Sequence, residues 1–95
     1  SYTPLHYAAT GPESATVSLL LQRGAKVDSR ASNGNTPLMM AARYGSEGSV
    51  AELLRHGADA KARNERDQTA ADMARSAGRD SLAQTIEQYR PAATR

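Results

Sequence analysis

Apolar residues recur at helical spacing in two places along the chain. Val17, Leu20 and Leu21 form one i, i+3, i+4 stripe, and Val50, Leu53 and Leu54 form another. That spacing puts three apolar side chains on one face of a helix. Gly24 and Gly57 follow the two stripes and suit the left-handed position just past a helix C-terminus. The second stripe predicts a helix from Ser46 to His56. A shorter apolar segment precedes it, opening on Thr36-Pro37. Thr36 is a good N-cap, and the proline stands at the first helical position, where its missing N–H is no loss. Leu38, Met40, Ala41 and Ala42 give this short helix an apolar side, with alanines small enough to let a neighbouring helix approach. Gly45 ends it with a turn. The polar stretch from Lys26 to Asn35 contains Asn33-Gly34, a tight-turn signal.

The pattern has a period of 33 residues: Thr3-Pro4-Leu5 returns as Thr36-Pro37-Leu38, and Thr69 continues the series. Ala8 and Ala9 match Ala41 and Ala42, the two stripes match each other, and Ala25 and Arg30 match Ala58 and Arg63. Ala74 and Gly78 keep the register of Ala41 and Gly45. The units are 3–35, 36–68 and 69–90, with a tail at 91–95. One such unit cannot bury its own apolar face, so neighbours must cover it. The fold expected is an all-α repeat, a single-domain solenoid of stacked helix–turn–helix units with β-hairpin or turn fingers between them.

Composition supports this. The hydrophobic fraction is 39%, much of it alanine, with four tyrosines and no phenylalanine or tryptophan. So few large side chains would make a thin globular core, but they suit thin helices in close layers. Twelve basic against ten acidic residues give a net charge of +2, too small to point to nucleic acid. No cysteine is present, which excludes disulfides, thiolate metal sites and a cysteine nucleophile. No apolar run approaches the roughly 20 residues of a membrane span.

Thr3-Pro4-Leu5-His6-Tyr7-Ala8-Ala9, together with Leu19-Leu20-Leu21-Gln22-Arg23-Gly24-Ala25 and Leu53-Leu54-Arg55-His56-Gly57-Ala58-Asp59, resembles the signature of the ankyrin-repeat family, whose unit length is also 33 residues. The alanine- and arginine-rich, cysteine-free style is similar to bacterial members. The resemblance implies a concave groove formed by the finger tips and the exposed side of the first helices. By position, that groove takes Ser32, Asn33, Asn35, Met39, Arg43 and Tyr44, with Arg63, Glu65, Arg66 and Gln68 on the next finger. Arg43 and Tyr44 lead this set because both residue types are enriched in binding hot spots. The resemblance also implies a structural, hydrogen-bonding role for His6. Unit three departs from the pattern: Ala70-Ala71-Asp72 stands where Pro-Leu-His would, and Glu87 occupies the position of Leu21 and Leu54. A charge there would be costly under another repeat. Unit three is therefore expected to be a C-terminal cap, closed by Tyr89 and Pro91 and fraying over 92–95. Unit one lacks such polar substitutions, and at least one further repeat is expected to precede it.

Candidate chemistry is sparse. His6 and His56 have no ligand spacing to each other or to a carboxylate pair. His56 falls at a helix end, where partial positive charge suits the dipole. Gly45-Ser46-Glu47-Gly48-Ser49 is neither a nucleophile elbow nor a phosphate loop; it reads as a turn with Ser46 as a cap. No cofactor, metal or catalytic residue is expected. The function expected is a monomeric, non-enzymatic scaffold for another protein. The alternatives are the regulatory end of a larger enzyme or transporter and, less favoured, nucleic-acid binding through Arg30, Arg43, Arg63, Arg66 and Arg75, among which Glu65, Asp67 and Asp72 are interleaved. The compartment is open, cytoplasmic or exported.

Overall fold

A threonine starts each unit and fixes where its first helix begins. The computed structural model describes residues 2–90 and contains six helices: α1 Pro4–Thr10, α2 Ser14–Gln22, α3 Pro37–Tyr44, α4 Glu47–Arg55, α5 Ala70–Ser76 and α6 Asp80–Gln88. Thr3, Thr36 and Thr69 are the N-caps of α1, α3 and α5, and each side-chain oxygen accepts from the backbone N–H three residues on. In return, the side chains of His6, Met39 and Asp72 accept from the backbone N–H of the capping threonine. One mechanism, a reciprocal cap, is therefore built with three different acceptors. Ser46 caps α4, accepting from the Ser49 N–H at 3.0 Å. The helix expected from Ser46 to His56 has those two residues as its caps.

The first helices stack directly on one another, α1 on α3 and α3 on α5, with the second helices behind them. Leu5, Ala9, Leu38, Ala41, Ala42, Ala74 and Ala83 are buried along this stack. Alanine dominates because a larger side chain would push the helix axes apart. Gly45 serves the same end. Its φ is −93°, so it is not the left-handed residue that would close a helix; a Cβ there would instead collide with the Ala9 carbonyl oxygen of the preceding unit. Gly78 differs although it shares the register of Gly45. It has φ +78°, and the C-cap of α5 is Ala77. The left-handed positions expected after α2 and α4 are present, at φ +94° for Gly24 and +88° for Gly57.

Small residues also bring α2 against α4. A Cβ on Gly48 would lie 3.2 Å from Ser14 Oγ, and Ser49 is fully buried. In α6 the same positions carry Ser81 and Leu82. These hold α6 away from α4 and open a seam of about 620 Å³ lined by Val50, Leu54, Leu82 and Tyr89 among others. Its floor is the buried stripe of α4, so the seam is the consequence of a larger residue at one helix step.

The two ends of the stack differ. Pro4 is exposed and Ala8, Leu20 and Leu21 are half-buried, whereas Pro37, Ala41, Leu53 and Leu54 at the same repeat positions are buried. At the other end Glu87 is exposed and accepts from both terminal nitrogens of Arg75, at 2.8 and 2.6 Å. Those hydrogen bonds hold the Glu87 carboxyl below the ordinary carboxylate range. Arg79 reaches from unit three to the Ala42 carbonyl, at 3.1 Å, where the end of α3 leaves carbonyls without helical partners. Tyr89 packs on the core as expected; Pro91 and the tail at 92–95 lie outside the described residues.

Gly11 and Gly45 provide an internal test of the spacing constraint. Both are extended C-caps, but a Cβ on Gly11 would meet only the Ala8 carbonyl oxygen, at 3.5 Å. In urea denaturation, Gly11→Ala is expected to change stability by less than about 0.5 kcal/mol. Gly45→Ala is expected to lose about 3 kcal/mol or more.

Candidate binding groove

The finger between units one and two closes through two backbone hydrogen bonds, Gly34 N–H to the Ala31 carbonyl at 2.8 Å and Ala31 N–H to the Asn35 carbonyl at 2.9 Å. This is a three-residue loop of Ser32, Asn33 and Gly34, with Gly34 left-handed at φ +83°, the geometry of a turn followed by a bulge. The hairpin-or-turn fingers take the turn form, and no strand occurs among the described residues. The next finger repeats the loop from Asn64 to Gln68 with Asp67 at the left-handed position, φ 63°. Asp67 tolerates this better than most residues. Arg63 holds it there, donating to the Asp67 carbonyl at 3.0 Å.

The two fingers are tied together. Glu65 N–H donates to the Asn33 carbonyl at 3.1 Å, and Arg30 donates to the Arg63 carbonyl. Asn64 Nδ2 donates to Asn35 Oδ1 at 2.8 Å and to Gln68 Oε1 at 3.1 Å. Asn64 Oδ1 accepts from the backbone N–H groups of Arg66 and Gln68. Asn33 Oδ1 accepts from the Asn35 N–H at 3.1 Å, and Asn33 Nδ2 donates to the Tyr2 hydroxyl at 3.0 Å. The finger amides thus form a satisfied network that fixes both loops.

Beneath them lies a hollow of about 540 Å³. Of the residues expected there, Asn33, Asn35, Arg43, Tyr44, Glu65, Arg66 and Gln68 line it. Ser32 is exposed on its finger and Arg63 is turned to its own finger, with its guanidinium 3.5 Å from the Asp67 carboxylate; neither lines the hollow. Met39 is a correction: it is 0% exposed and has no surface to offer a partner. Its sulfur accepts from the Thr36 N–H at 3.4 Å. The methionine of the hollow is its neighbour Met40, joined by Met73 one period later, with Tyr2 and Asn64. Asn35 is nearly buried, so its role is to join the fingers. Tyr44 is 59% exposed, and the Arg43 guanidinium lies 5.4 Å from its ring centroid, within cation–π range.

The histidines have structural partners. His6 Nδ1 accepts from the Thr3 N–H at 3.1 Å, which places its proton on Nε2, and Nε2–H donates to the Asn35 carbonyl at 2.8 Å. His6 therefore joins unit one to the finger ahead of it. His56 Nδ1 meets the Glu52 carbonyl at 3.0 Å. Burial pushes the Glu52 carboxyl up, but hydrogen bonds from Arg55 and Ser18 and the nearby charges of Arg55 and His56 outweigh it, leaving it below its usual range. Among the described residues no cluster of histidine, cysteine or acidic side chains could hold a metal ion, and no helix is long and apolar enough to cross a membrane.

Position 39 tests the His6 arrangement directly. Met39 takes the acceptor half of the histidine role but cannot donate to the Gln68 carbonyl, which stands one period after Asn35. Met39→His is expected to form that bond and raise stability by about 1 kcal/mol in denaturant titration. The strained finger gives a second expectation. Asp67→Val, β-branched at positive φ, is expected to lose about 1–2 kcal/mol, while Asp67→Gly loses none.

Comparison with known proteins agrees with this geometry. A family model described as ankyrin repeats, in three copies, matches residues 1–86. No curated protein sequence matches the chain. Ankyrin repeats are generally protein–protein interaction modules and typically non-catalytic. Six helices in three helix–turn–helix pairs, started by threonines one period apart and matched by that family along most of their length, place this chain in the ankyrin-repeat family.

Proposed function

We propose that this chain is a monomeric, non-enzymatic scaffold that captures another protein through the concave side of its stack. The observation that carries this reading is the hollow itself. It is walled by two fingers whose asparagine amides are already engaged, and half-buried Arg43 and exposed Tyr44 stand at it. A rigid wall lowers the ordering cost of binding, and arginine and tyrosine are the anchors most often found in hot spots. Repeats 3–35 and 36–68 with a cap at 69–90 divide the surface. Nucleic-acid binding is less well supported, because Glu65 lies between the arginines of the second finger.

A photo-cross-linking residue in place of Tyr44 is expected to trap the partner. The same residue in place of Leu19, exposed on α2, is expected not to. The Arg43→Glu, Arg66→Glu double variant should weaken capture roughly tenfold or more with an unchanged circular dichroism spectrum. Cross-links from position 19 instead of 44 would refute the groove.

A further inference from the structure

On the reading that this groove binds a protein, its charged side chains narrow what the bound segment is made of. The asparagine amides of the fingers are engaged with one another, with their own backbones, with the Tyr2 hydroxyl and with the Met40 sulfur. The arginines divide into three groups. Arg55, Arg63 and Arg75 hold carboxylates, and Arg30, Arg79 and Arg90 hold backbone carbonyls. Among the described residues, the guanidinium groups of Arg23, Arg43 and Arg66 meet no acceptor, and two of these three line the same hollow. The Arg43 guanidinium carbon lies 5.4 Å from the Tyr44 ring centroid, and its N–H groups remain for a ligand. A guanidinium edge matches a carboxylate with two parallel hydrogen bonds.

The same hollow is lined by Met40 and Met73, 8% and 5% exposed, whose flexible thioethers adapt to an apolar side chain. Glu65 adds a restriction. It neighbours Arg66 on the same finger, and its carboxylate pairs with no cation among the described residues. A continuous run of negative charge would be repelled there, whereas separated carboxylates can avoid it. That condition disfavours a phosphate backbone.

We propose that the groove takes an extended peptide segment with two separated carboxylate side chains around an apolar one. The carboxylates meet Arg43 and Arg66, and the apolar side chain rests on Met40 and Met73.

The test is fluorescence anisotropy of the full chain with labelled synthetic peptides of three designs. One carries separated glutamates around a leucine, one carries glutamine in place of the glutamates, and one carries lysine. The acidic design is expected to bind best and to weaken with added salt. Arg43→Glu or Arg66→Glu should each weaken it roughly tenfold or more. Glu65→Gln should strengthen it by about two- to tenfold. Circular dichroism of each variant confirms that the stack is intact. Three results overturn the proposal: no binding of the acidic design, preference for the lysine design, or binding of single-stranded oligothymidylate through Arg43 and Arg66 without binding of the acidic design. If the glutamine design binds equally well and Tyr44→Ala and Met40→Glu abolish its binding while the arginine variants do not, the carboxylate assignment falls and the groove stands. If acidic peptides bind but cross-link only from position 19, the groove falls with it.

Discussion

Ala9, Ala41, Ala42 and Ala74 have no exposed surface, and their small side chains set how near the backbones of α1, α3 and α5 come to one another. The finger contacts depend on that distance. Glu65 N–H reaches the Asn33 carbonyl, and Asn64 reaches Asn35, because the helices carrying those fingers are one narrow step apart. Gly45 belongs to the same constraint, since its hydrogen takes the place of a Cβ that the Ala9 carbonyl would not admit. Dispersion contacts across this layer are individually weak and collectively large. A single added methyl at the closest approach therefore acts on the whole stack.

The close step also explains how the groove is organised. Two fingers held by five side-chain amide bonds to each other and to their own backbones leave little for a partner to order. Their asparagine amides are occupied, so these supply shape more than hydrogen bonds. On the proposed reading, recognition falls to the other side chains that line the hollow. These are a ring–guanidinium pair on the last turn of α3, two thioethers, and the charged tip of the second finger.

The helices were legible in the sequence because their signals are local. Thr-Pro marks the starts, i, i+3, i+4 leucines mark the faces, and glycine marks the ends of α2 and α4. The groove was only partly legible. Helix α3 is short and covered by neighbours on both sides, so Met39 and Met40 are both apolar and no polar face shows which one turns inward. They are 0% and 8% exposed. The distinction comes from the cap: position 39 must aim its acceptor back at Thr36, as His6 does toward Thr3. The register therefore held the signal in the histidine at position 6. Asn64 was passed over because its counterpart at position 31 is alanine, so repetition gave no hint of its role. The function of Gly45 was hidden for a different reason. A glycine required by a neighbour's carbonyl looks, in sequence, the same as one required by a left-handed turn.

Periodicity has a further consequence for binding. The backbone repeats every unit, and a groove that repeated in the same way would let an extended segment slide by one step. The charges break that equivalence. The positions matching Arg43 are Thr10 and Ser76, and the position matching Arg66 on the first finger is Asn33. Glu65 likewise matches Ser32. Two cations without an acceptor, Arg43 and Arg66, thus occur together at one step of the stack, between the middle first helix and the second finger. A ligand that needs both has one register. Displacing it by a unit would remove its counter-charges while keeping the shape, and losing two charge-assisted hydrogen-bonded contacts is worth several kcal/mol, on the order of 3–6. The repeated backbone provides the rigidity, and in the proposed complex the positions that depart from the repeat would fix where the ligand sits.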